Sequence, residues 1–428
     1  MQPFAIRADK INDREANMRL NRRQFFRSAS GALAFASSAG LLRSAGIAGE
    51  APIVVANILD QTGGLNIYSL KQIKAVAMAV EEINAAGGLL GRPLELVFYD
   101  SQSNNQFNAQ YMTQALIRDK ASVVHAGVTS SSREVMRPIA HKFRGLLFYN
   151  SMYEGGVCDR RHVCVAQVPG QQIAPLVPHV VKEYGKRCYI LGADYIYPHT
   201  TAKWVRKFTQ EAGGEDIGVE FFPLDVSNFA PALSRIQAAK PDVVWSILVG
   251  SAHNAFYRQY EATIGKANIP LASCMFGIGR EQTYLSADEA SGIVNATPFH
   301  DSLPTEAAQK FVRDFKAYTG EDDYVGDYAE YGYRGVNIWA NAVRKAGDPS
   351  PEAVIEALPG VQFEAPGGLV TVDGQTNHAT MDIHLVRTNR NQGWDHLETF
   401  AQRPPSDTQA VCDLNANPND RTQYTLEL

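Results

Sequence analysis

Short apolar runs alternate with helical patterns along most of the chain. Residues 53–59 form the first run, and a continuous apolar segment of this length is typical of a strand buried in a parallel sheet. After this run, apolar residues recur at a helical spacing: Leu70, Ile73, Ala77, Val80 and Ile83. The alternation continues to an apolar run at 146–149, and it predicts an α/β fold with a doubly wound parallel sheet.

The pattern starts again after residue 170. Four further apolar runs predict strands, and helical patterns separate them: 187–192, 219–224, 242–249 and 270–274. Two such units in series predict two lobes. Ligands of open α/β sheets bind beyond the carboxyl ends of the strands, so two facing lobes would form a binding cleft there.

The candidate ligand-binding residues are therefore the side chains that follow the predicted strands. They are Ser130, Ser131, Tyr149, Ser151, Met152, Tyr195, Gly250 and Ser251. Small hydroxyl residues at a helix start suit a carbonyl or carboxylate oxygen, and helix capping with nothing bound is the alternative. Tyrosines offer a flat apolar wall and a hydroxyl, and packing between the lobes is the alternative for each of them.

The first 48 residues differ in charge from the rest of the chain. They contain eight Lys/Arg and three Asp/Glu residues, and the remainder carries a net charge of −10 against −5 for the whole chain. Arg22 and Arg23 precede an aromatic pair and a mildly apolar stretch at 29–42, which is too short to span a bilayer. This order predicts a twin-arginine signal peptide over 1–48, cut after Ala48, and hence a periplasmic protein. An N-terminal amphipathic helix is the alternative, and either Met1 or Met18 could be the start.

Five cysteines allow one short pairing. Cys158 and Cys164 lie close together in a loop-like stretch, and in an oxidising compartment they predict a small disulfide loop. A metal site that includes His162 is the alternative, but no second ligand pair accompanies it. Cys188 and Cys274 have apolar neighbours and are predicted to be buried thiols.

Composition and motifs exclude several classes of function. Hydrophobic residues make up 45% and charged residues 20%, which is ordinary for a soluble globular protein, and the negative net charge argues against nucleic-acid binding. The sequence has no nucleophile elbow, phosphate-binding loop or Rossmann glycine fingerprint. We therefore expect that the protein is not an enzyme and that it binds no cofactor and no metal.

Several motifs in this order resemble the type I periplasmic binding proteins of ABC transporters. They are Gly-Gly-Leu-Leu-Gly-Arg-Pro-Leu at 87–94, Tyr-Glu-Gly at 153–155, Asp-Tyr-Ile-Tyr-Pro at 194–198, Phe-Pro-Leu at 222–224 and Ala-Lys-Pro-Asp-Val-Val at 239–244. Within that family the chain is most similar to the branch that binds urea and short-chain amides, which is related to branched-chain amino-acid receptors. The resemblance extends from about residue 52 to about residue 387.

The resemblance implies two parallel-sheet lobes joined by a three-crossover hinge that closes on the ligand. It assigns 51–168 with 297–345 to lobe I and 169–296 with 346–400 to lobe II, and it leaves 401–428 as a C-terminal extension. It also implies a small polar solute, such as urea or a short-chain amide, and membrane permease subunits as partners; homo-oligomerisation stays open.

An amino-acid receptor of this family needs an acid in the second lobe to pair with the ligand ammonium. The corresponding loop, 274–281, has no acid before Glu281, which disfavours an amino acid unless Glu281 or Asp194 reaches the ligand. An amino-acid binding protein and a ligand-sensing receptor with the same fold are the alternatives.

Overall fold

The structure is a computed structural model that describes residues 51–250 and 252–425. The predicted signal peptide at 1–48 and the candidate Ser251 lie outside the described residues.

The first sheet has five parallel strands. They are β1 (Ile53–Leu59), β2 (Leu94–Asp100), β3 (Val123–Ala126), β4 (Leu147–Tyr149) and β5 (His162–Cys164). Their order in the sheet is β2-β1-β3-β4-β5. The helices between them are α1 (Asn66–Ala85), α2 (Asn105–Ile117) and α3 (Ser130–Lys142). Because β1 pairs with β2 on one side and β3 on the other, it is almost entirely buried, which explains its continuous apolar run.

The second sheet begins with five strands that also run parallel. They are β6 (Arg187–Ala193), β7 (Glu215–Phe222), β8 (Val243–Ile247), β9 (Leu271–Ser273) and β10 (Val294–Thr297). The helices of this part are α4 (Pro169–Tyr184), α5 (Ile196–Glu211), α6 (Ala230–Ala239), α7 (Ala252–Thr263) and α8 (Ala287–Ala290). The strand order β10-β9-β8-β6-β7 repeats the doubly wound arrangement of the first sheet.

The chain crosses between the two sheets three times. The first crossing follows β5 at 165–168, and the second follows β10 at 298–305. After the second crossing come α9 (Glu306–Thr319), α10 (Asp327–Ala346) and α11 (Pro351–Ala357). Helices α9 and α10 pack against α1 of the first lobe, and the chain then returns to the second sheet at 358–361. This confirms the predicted two-lobed α/β fold with a three-crossover hinge.

Four antiparallel strands complete the second sheet. They are β11 (Gln362–Ala365), β12 (Gly368–Val372), β13 (Ala379–Thr388) and β14 (Trp394–Arg403). β13 pairs antiparallel with β10, and β12 and β14 pair with β13. The second sheet is therefore mixed rather than wholly parallel, because β13 joins β10 antiparallel and short connections make β11 to β14 pair antiparallel with one another. A short helix, α12 (Ser406–Gln409), follows β14.

The predicted Cys158–Cys164 disulfide is wrong. Cys158 instead forms a disulfide with Cys412, 254 residues later in the chain. Cys164 is a free, buried thiol, because it ends β5 and is fixed by the pairing of that strand with β4. Cys158 lies in the loop before β5, where its backbone N–H donates to the carbonyl of Thr422 at 2.8 Å. Cys188 and Cys274 are free and buried, as predicted.

Candidate ligand-binding site

A small cavity lies where the carboxyl ends of the strands of the two sheets face each other. Its volume is about 10 Å³, room for about one water molecule. The side chains around it are mostly aromatic or apolar: Tyr68, Val128, Ser130, Met152, Tyr195, Tyr197, Val249, Met275 and Tyr328. The described lining contains no charged side chain, and the cavity volume is far below that of a usual ligand pocket.

Each lobe contributes to the cavity through the segments that follow its strands. In the first lobe, Val128 and Ser130 follow β3 and Met152 follows β4. In the second lobe the contributing segments follow β6, β8 and β9: Tyr195, Tyr197, Val249 and Met275. Tyr68 and Tyr328 come from the first turns of α1 and α10, and their ring centroids are 5.0 Å apart.

Three of the predicted ligand-binding residues reach this cavity. Ser130 is buried at the start of α3, Met152 is buried after β4, and Tyr195 is partly buried directly before α5. The structure therefore brings residues from both lobes together, as the strand-end argument predicted.

Tyr149 and Ser151 are buried but do not line the cavity. Their hydroxyls both donate to the carbonyl oxygen of Val128, at 2.8 Å from Tyr149 and 2.9 Å from Ser151. The ring of Tyr149 also lies 5.3 Å from the guanidinium carbon of Arg133. These two residues therefore support the Val128 loop from behind, because their polar atoms are already occupied.

Ser131 and Gly250 border a different space. It measures about 390 Å³ and lies between segments of both lobes, including Leu65 and Thr129 of the first and Leu224 of the second. Gly250 is connected to the cavity indirectly, because its backbone N–H donates to the Tyr68 hydroxyl at 2.9 Å.

Hydrogen-bond directions determine which polar atoms the cavity offers. The hydroxyl hydrogen of Ser130 is donated to the carboxylate of Glu154, so only oxygen lone pairs remain for a ligand. The hydroxyl hydrogen of Ser151 goes to Val128, so the Tyr328 hydroxyl, 2.8 Å away, donates to Ser151. Ser130 and Tyr328 are therefore hydrogen-bond acceptors on the cavity side.

A hydrogen-bond donor comes from another tyrosine. The Tyr68 oxygen accepts from Gly250 and its hydroxyl also hydrogen-bonds the buried Glu281 carboxyl, so the Tyr195 hydroxyl is the donor left for a ligand. Burial raises the pKa of Tyr68 and of Tyr195 well above the ordinary value, so both hydroxyls keep their hydrogens at neutral pH. The cavity thus offers both acceptors and a donor without a formal charge.

The two acids considered from the sequence do not line the cavity. Asp194 is exposed and lies 2.7 Å from the ring nitrogen of His199. Glu281 is fully buried near Tyr68, and its Oε2 accepts from the backbone N–H groups of Gly277 and Gly279 at 2.9 and 3.2 Å. Burial raises its carboxyl pKa to about 7.

Six lining residues were not predicted from the sequence. Tyr197 lies in the Asp-Tyr-Ile-Tyr-Pro motif. Val128, Val249 and Met275 lie at or just after predicted strand ends, so the strand-end criterion applies to them as well. Tyr68 and Tyr328 follow no strand directly. Their positions depend on how α1 and α10 pack, which the local pattern does not encode.

The described residues contain neither a metal-binding cluster nor a membrane-spanning helix. Within 51–250 and 252–425, no group of three or more His, Cys, Asp or Glu side chains is arranged to hold a metal ion. No helix in the same ranges is long and apolar enough to cross a membrane.

The periplasmic binding protein domain model matches residues 53–403, which is most of the chain. The chain belongs to the periplasmic binding protein family. As such a protein, it is a solute-binding protein of the ABC-transporter class, and the family implies a periplasmic location.

Its relatives include the leucine-, isoleucine-, valine-, threonine-, and alanine-binding protein of Pseudomonas aeruginosa, 23% identical over 340 residues that cover 77% of this chain and 88% of that protein. The Leu/Ile/Val-binding protein homolog 7 of Brucella abortus is 23% identical over 349 residues, covering 77% and 86%.

Solved structures of other binding proteins share the fold. The solute binding protein of an ABC transporter from Rhodopseudomonas palustris BisB5, in complex with 3,4-dihydroxybenzoic acid, matches with a TM-score of 0.75 and 19% identity, covering 83% of this chain and 99% of that one. The leucine binding protein LivK from Thermotoga maritima matches with a TM-score of 0.72 and 20% identity, covering 82% and 99%.

Proposed function

We propose that this periplasmic binding protein captures a small neutral solute that carries both a carbonyl oxygen and N–H groups, such as urea or a short-chain amide. An ABC importer would then receive the solute through its permease subunits. The observation that carries the proposal is the commitment of the Ser130 hydrogen to Glu154, which makes Ser130 an acceptor for a ligand N–H.

A carboxylate suits these surroundings poorly. Its oxygens would meet lone pairs at Ser130 and Tyr328, and no cation lines the described cavity. Burying an unpaired charge costs several kcal/mol, on the order of the binding energy of a weak ligand. An amide avoids this cost, because its carbonyl can accept from Tyr195 while its N–H groups donate to Ser130 and Tyr328.

The shape of the cavity supports a small, flat ligand. Its volume of about 10 Å³ admits about one water molecule, so the lining must move apart slightly to admit even a ligand of a few heavy atoms. Tyrosine rings and two methionine side chains supply apolar surfaces for the faces of a planar group.

An amino acid is the second candidate. Glu281 lies behind Tyr68, and a rotation of that tyrosine would let the carboxylate face a ligand ammonium. The names of the relatives from Pseudomonas aeruginosa and Brucella abortus support this class. The predicted twin-arginine signal at 1–48 agrees with a periplasmic transport role in either case.

Isothermal titration calorimetry of the chain from residue 49 tests the proposal with four compounds. Urea and acetamide should bind, whereas leucine and benzoate should bind much more weakly. Tighter binding of leucine would favour the second candidate, and tighter binding of benzoate would overturn the acceptor assignment of Ser130.

A further inference from the structure

Residues 404–425, which we name the C-terminal strap, connect the second sheet to a loop of the first lobe. The strap starts where β14 ends, at Arg403, and includes α12. The Cys158–Cys412 disulfide attaches it to the first lobe. The strap therefore makes a covalent connection between the lobes in addition to the three crossovers.

The end of the strap is held mainly by polar contacts. The backbone N–H of Tyr424 donates to the carbonyl of Gly156 at 2.8 Å, and Arg137 donates to the carbonyl of Arg421 at 2.6 Å. Most residues after Leu414 are exposed, so apolar burial contributes little to holding this part in place.

A continuous series of hydrogen bonds leads from the strap to the cavity. Gln423 accepts from Nη2 of Arg133 at 2.8 Å and donates to the carbonyl of Gly155 at 2.9 Å. The same nitrogen of Arg133 donates to Glu154 at 2.8 Å, and Glu154 accepts the hydroxyl hydrogen of Ser130. Arg133, Glu154 and Ser130 are each at most 2% exposed, so their bonds are shielded from water.

We propose that the C-terminal strap positions Ser130 for ligand binding, and that the Cys158–Cys412 disulfide makes ligand affinity depend on the oxidation state of the chain. Gln423 and Cys412 are positioning residues, since neither touches the cavity. The inference rests on the proposed function, because it takes the cavity as the ligand site.

The disulfide gives the strap its redox dependence. A dithiol reductant would convert Cys158 and Cys412 to thiols and would itself be oxidised to a disulfide. Without this bond, mainly hydrogen bonds retain Gln423 beside Arg133, among them the backbone bonds from Cys158 to Thr422 and from Tyr424 to Gly156. If these bonds loosen, Arg133 loses its contact with Gln423, and Glu154 and Ser130, which follow it in the series, are less tightly oriented.

Hydrogen–deuterium exchange tests the inference without any ligand. Three variants of the chain from residue 49 are compared with wild type: Cys158→Ser with Cys412→Ser, Gln423→Ala, and Asn417→Ala. The first two should speed exchange roughly tenfold in peptides covering 128–133, the change expected when about one charged hydrogen bond is lost. Asn417 is exposed within the strap, so Asn417→Ala should leave these peptides unchanged.

Two outcomes would overturn the inference. Unchanged exchange at 128–133 in the first two variants would show that the strap only stabilises the fold and does not position Ser130, even if the melting temperature fell. An equal rise in α9, at 306–319, would indicate a general loss of stability in the lobe instead of a specific effect on Ser130.

Titration with acetamide supplies the functional measurement. The double serine variant, and wild type treated with dithiothreitol, should bind acetamide roughly tenfold more weakly than oxidised wild type. Equal affinity would contradict the inference. If oxidised wild type does not bind acetamide, the proposed ligand class fails, and the exchange data alone decide the role of the strap.

Discussion

Ser130 and Ser131 begin α3 side by side, but their hydroxyls have different surroundings. Ser130 is buried against Glu154 and lines the cavity, whereas Ser131 is partly exposed, lies 3.0 Å from the Thr129 hydroxyl and borders the larger open space. The sequence pattern predicted both as ligand contacts, because strand-end position does not distinguish them. The partner of Ser130, Glu154, lies 24 residues along the chain and is brought close only by the tertiary structure. The partner of Ser131, Thr129, lies only two residues away.

Replacing each serine in turn should separate their roles. Ser130→Ala removes an acceptor and should weaken acetamide binding roughly tenfold, the equivalent of about 1.4 kcal/mol. Ser131→Ala should change the affinity less than about twofold, since Ser131 does not line the cavity. Calorimetric titration of both variants measures the difference, and equal losses would show that the ligand does not occupy the cavity.

Glu281 makes a pH-dependent contribution to stability that can be isolated. Its carboxyl pKa is raised from 4.5 to about 7 in the folded protein, so the folded state holds an extra proton between these values. The contribution of this group to the free energy of unfolding therefore has its full value below about pH 4.5 and falls by about 3 kcal/mol as the pH rises through 7. The carboxyl of Asp407, also raised to about 7 by burial, acts in the same direction.

Guanidinium unfolding at pH 5 and pH 8 tests this effect. Buried histidines with a lowered pKa, such as His125 and His253, add stability over the same range, so the test is the difference between the proteins. The stability of Glu281→Gln at pH 8 relative to pH 5 should exceed that of wild type, because a neutral amide does not ionise. Glu364→Gln, at an exposed position, serves as the control and should follow wild type. The assignment fails if Glu281→Gln retains the full pH dependence.

At the scale of elements, predictability follows the length and burial of each strand. β1, β6 and β8 were predicted because strands buried on both faces are continuous apolar runs. β5 has only three residues, and its Cys164 was assigned to a disulfide loop. β14 is mostly exposed and has no apolar run, so the pattern did not indicate it. The pairing of Cys158 with Cys412 depends on tertiary contacts that spacing cannot reveal.

Helix α10 follows the second crossover, packs against the first lobe and places Tyr328 at the cavity. Its Gly335 faces the Asn150 side chain, which follows β4 and lies next to Ser151. A Cβ at position 335 would lie 2.8 Å from the Asn150 Cγ atom, closer than ordinary contact. A glycine is therefore required here by close packing between a helix and a strand end.

Gly335→Ala should destabilise the protein by about 1–3 kcal/mol, because the added methyl group forces the buried Asn150 to move. Arg344→Ala, on the exposed face of the same helix, should change stability by less than about 0.5 kcal/mol. Guanidinium unfolding compares the two, and similar small effects would mean that α10 can shift without cost.

At the scale of the whole molecule, the two lobes are in contact through groups that also form the cavity. The N–H of Gly250, after β8 in the second lobe, donates to the hydroxyl of Tyr68, in α1 of the first lobe, at 2.9 Å. Arg280 and Asp323 form a second contact between segments of the two lobes, at 3.0 Å. A ligand shifts the balance between open and closed forms only as far as it binds the closed form better.

Removing the Tyr68 hydroxyl should therefore favour the open form. Tyr68→Phe deletes the bond from Gly250 that connects the two lobes, so acetamide affinity should fall roughly tenfold. Small-angle X-ray scattering of the ligand-free protein should give a larger radius of gyration for Tyr68→Phe than for wild type. Tyr333→Phe is the matched control, because the Tyr333 hydroxyl donates to Glu82 at 2.7 Å between α10 and α1 of the same lobe. Its radius of gyration should equal that of wild type. If Tyr68→Phe weakens binding without changing the scattering, the Tyr68 hydroxyl contributes through the ligand alone and lobe closure is held by other contacts.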